Sequence, residues 1–207
     1  IRPFPDPSFP FIINHLNMAQ LSIPYIPWHW HDEFELVWVK SGVLTVGTSD
    51  GTFDLQPDDC AFLNNGILHM LKTVPDADCD FFCVRFTGIL LFPDYSSTIS
   101  SQYLHPLLVS PELRYIHLSA ESPLMARMIQ LVKQIIQIYY TNQPGSELML
   151  LSKLYALWSE LNEYMQQYPI HTPLSNSVIS DHDRVTTAIR YIAEHFAEPL
   201  TLVDIAN

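Results

Sequence analysis

The chain has 207 residues and a formal net charge of −12, with 48% hydrophobic and 12% aromatic residues. That is enough apolar material for one domain with a full core, and no apolar run approaches the ~18 residues of a membrane span. So acidic a segment does not condense unaided onto phosphate backbones, which makes it a poor nucleic-acid binder by itself. The three cysteines, Cys60, Cys79 and Cys83, form no disulfide framework and read as reduced thiols in or near a core. The opening Ile1-Arg2-Pro3-Phe4-Pro5 has neither the charged region nor the apolar core of a signal peptide. A cytoplasmic protein is expected, with its true N-terminus upstream because no Met begins the chain.

Residues 1–27 are rich in proline and isolated aromatics and read as an irregular arm, with one short strand near Phe11–Asn14. Tyr25 and Trp28 either line the mouth of a cavity or cap the core. The next stretch, Trp28 to Gly42, organises the chain. His29 and His31 are two apart, so in an extended strand they share a face. A regular strand puts Glu35, Val37 and Val39 on that face and Phe34, Leu36 and Trp38 on the other. His69, after the turn Asn64-Asn65-Gly66, is the natural fourth member of the group. Three imidazoles and a carboxylate on an otherwise apolar surface mark a cavity.

From 34 to 87 the pattern is all β. Phe34–Val39, Val43–Thr48, Thr52–Leu55, Cys60–Leu63, Ile67–Leu71 and Phe81–Phe86 are short strands separated by turn residues. Such spacing without helices predicts a sandwich or barrel. Residues 88–118 are ambiguous, with a last strand over Leu113–Leu118. At Ser119 the period changes to about 3.6. Ser122 caps a helix that opens on Pro123 and runs to 141, and Pro144-Gly145-Ser146 starts a second. Its seam of Leu151, Leu154, Trp158, Leu161 and Met165 packs either on the chain's own helix 123–141 or on a second subunit. Residues 169–182 have linker composition, 183–196 are helical, and Thr201–Asp204 resembles a cap opening another helix that ends almost at once at Asn207.

The pattern His29-x-His31-x3-Glu35-x6-Gly42 resembles the first cupin motif, with Ile23 where that motif has its leading glycine. Asp58-x5-Asn64-x-Gly66-x2-His69-x3-Thr73 approximates the second, with Asp58, Asn64 and Thr73 in place of the family's Gly, Pro and Asn. The four metal-holding positions of metallocupins survive as His29, His31, Glu35 and His69. The run Arg184-Val-Thr-Thr-Ala-Ile-Arg-Tyr-Ile-Ala-Glu-His-Phe196, continued by Pro199-Leu-Thr-Leu and Asp204-Ile-Ala, is similar to the opening of the DNA-binding domain of AraC-type transcription regulators.

The resemblance implies a mainly β fold with C-terminal α: a cupin (jelly-roll) barrel over 1–118, an antiparallel helix pair over 119–168, the linker, and the truncated start of a helix-turn-helix domain over 183–207. It implies a small-molecule effector, homodimerisation, and DNA contact through a domain mostly absent from the sequence. A small polar effector, a sugar at the level of the family, would bind at His29, His31, Glu35 and His69, with Trp30, Trp38 or Phe62 stacked on it. The same four residues suit Zn, Fe, Mn or Ni. A metal-dependent cupin enzyme of oxygenase or sugar isomerase type is therefore the alternative. The structural alternative is Glu35 held by neighbouring donors with no ligand. The attached helix-turn-helix sequence favours a sensor over an enzyme. His15, His105, His117, His171, His182 and His195 read as surface or core fillers.

Overall fold

The computed structural model describes residues 4–73, 77–109, 113–141 and 143–168, with 188, 191, 192, 195 and 201. Among the described residues the nine strands are β1 (Phe11–Asn17), β2 (Tyr25–His29), β3 (Phe34–Ser41), β4 (Leu44–Thr48), β5 (Gly51–Leu55), β6 (Cys60–Leu63), β7 (His69–Lys72), β8 (Asp80–Phe86) and β9 (Tyr115–Leu118). They form two antiparallel sheets, ordered β1-β8-β3-β6-β9 and β2-β7-β4-β5. The first eight strands follow the order of a jelly roll, β1-β8-β3-β6 facing β2-β7-β4-β5, with only the hairpin β4-β5 staying within one sheet. The fold is thus mainly β with helices after it, as the turn spacing predicts.

β3 explains why the sheets and helices stack as they do. Its two faces are both apolar, so it must be covered twice. Val37 and Val39 join Leu44, Val46, Leu55, Leu63, Leu71 and Phe81 in the core between the sheets. Phe34 and Leu36 join Phe62, Val84 and Phe86 on the outer side, beneath the helices. The turn that follows β3 needs glycine. Gly42 has φ of 80°, and a Cβ there would fall 2.2 Å from the Asp78 carbonyl oxygen.

The helices are α1 (Thr98–Tyr103), α2 (His105–Val109), α3 (Pro123–Thr141) and α4 (Ser146–Gln167). α3 begins where the proline predicts, with the Ser122 hydroxyl accepting from the Met125 N–H at 3.2 Å. Met128, Val132 and Ile135 of α3 are fully buried against the five-stranded sheet and α4. Leu154, Trp158 and Leu161 of α4 are buried in that same core, with Leu151 and Met165 packed at its edge. Three of the five seam residues thus lie in the chain's own core. The Trp158 indole N–H donates to the Tyr103 carbonyl at 2.8 Å and its ring meets Phe34 at 5.0 Å.

Two stretches differ from expectation. Residues 88–118, ambiguous in sequence, hold α1 and α2 before β9. Helices of six and five residues are too short to show a 3.6 period. β2 begins inside the arm expected over 1–27. Pro27 argues against a strand, yet β2 is a sheet edge, where a missing N–H costs no ladder bond. The chain divides into compact units of residues 1–170 and 171–207. The linker and the helix-turn-helix opening lie outside the described residues, apart from Ala188, Tyr191, Ile192 and His195, which are helical. Among the described residues no helix is long and apolar enough to cross a membrane.

Candidate functional site

The group His29, His31, Glu35 and His69 is brought together, though not by one regular strand. β2 ends at His29 and β3 begins at Phe34. The residues between cross from the four-stranded sheet to the five-stranded one. A register shift in β2 between Ile26 and His29 sets His29 opposite His69 of β7, with ring centroids 4.2 Å apart. His31 lies in the crossover. Its carbonyl accepts from the Gly66 N–H at 2.8 Å, which ties the crossover to the Asn64-Asn65-Gly66 turn. Glu35 enters from β3 on the inner face, as parity requires. One ligand atom from each residue lies within 4.8 Å of the others. His31, Glu35 and His69 are buried.

The backbone sets the orientation of every ring. His29 Nδ1 is 2.8 Å from the Pro27 carbonyl, His31 Nδ1 is 3.0 Å from that of Glu33, and His69 Nδ1 is 2.8 Å from that of Ile67. A carbonyl only accepts, so each Nδ1 carries the proton and donates. Each Nε2 therefore turns a lone pair toward the common centre. There Glu35 Oε2 stands 2.9 Å from His31 Nε2 and 3.2 Å from His69 Nε2. Two acceptors at such distances repel unless a proton or a metal cation lies between them. His69 Nε2 is buried and makes no aligned hydrogen bond.

The electrostatics agree. Burial, with His69 beside it, lowers the His29 imidazole to about 4, so it is a neutral donor at pH 7. Burial alone would lower His69 too, but the Glu35 carboxylate outweighs it and the net shift is upward. Burial would raise Glu35, but a proton shared with the His31 and His69 rings holds it well below the usual carboxylate range. Glu35 is thus an anion that favours a cation, a proton or a metal ion, held between it and the rings of His31 and His69. The cluster's donor set, its tautomers and the orphaned His69 Nε2 all fit a divalent transition metal.

A cavity of about 390 Å³ opens on the cluster, with His29, His31 and Glu35 in its wall. Trp28 lines it as well, whereas Tyr25 lines a separate groove on the outer face of β2 and β7. Arg85 and Asn14 also face the cavity, and neither is singled out by motif. A signal for Arg85 exists in the sequence: it is the one charge inside the apolar run Phe81–Phe86, at the parity of Phe81 and Cys83. The aromatics expected to stack on an effector sit elsewhere. Phe62 is fully buried beneath the helices, stacked on Phe34. Trp38 faces that side too, against Phe82 and under Lys133. Their parity is opposite to Glu35, which takes them through the sheet. Trp30 is half-buried in the crossover and is not part of the cavity wall.

The family model of the AraC-like ligand binding domain matches residues 22–158. The chain belongs to this family. The matched stretch runs from just before β2 to the middle of α4, so all four residues of the cluster lie inside it, while Asn14 and Leu16 of the cavity wall precede it. The AraC-like chain is 27% identical over 185 residues to an uncharacterized HTH-type transcriptional regulator, YdeC, of Bacillus subtilis. That match covers 88% of this chain but 60% of the regulator, so the chain spans less than two-thirds of that relative's length. Among solved structures, ToxT from Vibrio cholerae matches with a TM-score of 0.52 over 95% of this chain and 69% of its own. A second ToxT structure, with an unsaturated fatty acid bound, matches with a TM-score of 0.51 over 95% of this chain and 67% of its own. Both are 12% identical to this chain, which establishes a shared fold.

Proposed function

We propose that this chain is the effector-sensing part of a cytoplasmic DNA-binding transcription regulator, with a small polar effector bound in the cavity above His29, His31, Glu35 and His69. One observation carries the reading. In a ligand-binding family, the only described cluster of metal-type ligands faces a cavity of ligand size instead of being packed shut. Occupancy would shift the balance between two presentations of the DNA-binding part, by as much as the effector's affinity differs between them. DNA contact falls to residues beyond the barrel, since the chain is acidic throughout. Pairing of two chains belongs to the same proposal; of the seam, Leu154, Trp158 and Leu161 are buried in the chain's own core, and Leu151 and Met165 at its edge are partly exposed.

The test uses the full-length regulator and a reporter gene. Glu35→Ala and His69→Ala are expected to abolish the effector response while basal operator binding persists. A response equal to that of the unaltered protein overturns the assignment.

The four convergent donors support a second reading, a metal-dependent enzyme. A bound metal would supply a Lewis-acid centre for an oxygen of the substrate. His29, His31, Glu35 and His69 would hold it, each ring kept in its donor tautomer by a backbone carbonyl. The named regulator relative weighs toward the sensor. Turnover of a cavity-binding compound by the purified chain would reverse that order.

A further inference from the structure

His31 lines the effector cavity, and the next two residues of the crossover, Asp32 and Glu33, line a separate cavity of about 770 Å³. Its other walls come from the arm before β1, from Asn65, and from residues 87–108. Those walls carry clustered apolar surface. Ile89, Tyr95 and Leu108 leave between 36% and 54% of their surface exposed, and Phe4 is half-buried beside the same cavity. Exposed apolar side chains gathered in this way mark a binding face. The polar part of the wall is acidic. The Asp32 carboxylate is exposed and makes no hydrogen bond or ion pair among the described residues. Glu33 is already engaged, with one oxygen 3.3 Å from His31 Nδ1 and the other 4.0 Å from Arg85 Nη1. Two more oxygens of lining residues, Asn65 Oδ1 and Thr87 Oγ1, are buried without a hydrogen-bond partner. No Lys, Arg or His is among the described lining residues. The wall therefore has a surplus of acceptors and no cation of its own.

A hard metal ion does not suit such a wall. Calcium takes about 6–8 oxygen ligands and magnesium a near-octahedral shell, whereas here one unpaired carboxylate faces aliphatic and aromatic carbon. An organic ammonium does suit it. Its charge meets Asp32, and its N–H groups supply the donors that the wall lacks. Its carbon body covers Ile89 and Leu108, and the rings of Phe4 and Tyr95 attract a cation over their faces. The chain's charge of −12 favours cations in general. That attraction is screened beyond ~8 Å at physiological salt, so contact chemistry sets the choice among them. We propose that this second cavity binds a small primary amine, with its ammonium on Asp32 and its apolar body along Ile89, Tyr95 and Leu108. The site is separate from the effector cavity and stands whether or not the sensor reading does.

The test is calorimetry and thermal shift on the whole chain with hexylamine, benzylamine and 2-phenylethylamine. Each is run beside the alcohol of the same skeleton, and ammonium chloride and calcium chloride complete the series. At least one amine is expected to bind, with its alcohol about tenfold weaker or more, the loss of one charge-assisted hydrogen bond. Asp32→Asn changes an exposed side chain without changing its shape, and it should erase the preference for amine over alcohol. Tyr95→Ala should weaken amine and alcohol together. Trp28→Ala, in the wall of the effector cavity, should leave amine binding unaltered. Failure of every amine to bind, equal binding of amine and alcohol, or ammonium binding as tightly as the amines overturns the proposal. Calcium that displaces the amine overturns it in favour of an inorganic-cation site. An amine preference that survives Asp32→Asn, or amine binding lost in Trp28→Ala, places the ligand elsewhere and overturns the assignment, while the effector cavity is judged by its own reporter test.

Discussion

Asp80, at the start of β8, shows how single side chains tune this fold without taking part in its site. The Lys40 ammonium lies 2.8 Å from one carboxylate oxygen, and the His15 ring contacts the other. Burial would raise the carboxyl, but these two partners outweigh it and hold it below its ordinary value. A depressed carboxyl stabilises the fold above its unfolded pKa, near ~3.9, and that stability is lost as pH falls through the folded value. Asp80→Asn should therefore cost about 0.5–1 kcal/mol at pH 7, the scale of a surface pair. The difference should vanish near pH 2. Urea titrations of both proteins at the two pH values measure it. Of the site's residues, the spacing of His29, His31 and Glu35 and the later His69 are legible in the sequence, since they follow motif and parity. Asn14 is not, because an amide in a polar-rich arm carries no pattern until β1 pairs with β8 and sets it opposite Cys83.

At the scale of elements, α3 was legible to the residue because a proline, a capping serine and a long apolar stripe agree. The helix seam was legible only as a surface seeking a partner. Which partner it finds depends on three-dimensional neighbours, here Phe34 of β3 and Phe92. This makes Trp158 a core residue. Trp158→Ala should cost about 3–5 kcal/mol, as for other buried aromatics. The fall in Tm should be the same at micromolar and at tenfold higher protein concentration, because no subunit contact is lost. A concentration-dependent loss would place the indole at an interface instead. The break between β2 and β3 was hidden for another reason. Alternation across Trp28–Val39 survives the crossover, so period alone reads two strands as one.

At the scale of the whole molecule, the site joins the two sheets. His29 and His69 come from β2 and β7 of the four-stranded sheet, Glu35 from β3 of the five-stranded one, and His31 from the crossover between them. A cation held by all four would bind the folded form only, since no unfolded chain gathers them. At a hundredfold excess over its Kd, such a metal adds about 2.7 kcal/mol. For a chain of this size that is a rise in Tm of about 5–10 °C. Calorimetry of the chelator-stripped protein before and after adding zinc or manganese measures it, and Glu35→Ala should abolish the rise. The jelly-roll order was legible as a class, from short strands and their turns. The pairing of particular strands was not, because β2 and β7 are forty residues apart and meet only when the roll closes.

β3 is a partition one peptide thick. Glu35 lines the cavity, while its immediate neighbours Phe34 and Leu36 are seated beneath the helices. Such a wall has no filling in which a push can be absorbed. On the proposed reading, a tilt that an occupant imposed on Glu35 would reach Phe34 across a single Cα–Cα step, and its ring meets Trp158 at 5.0 Å. The cavity wall and the helical core share one piece of backbone.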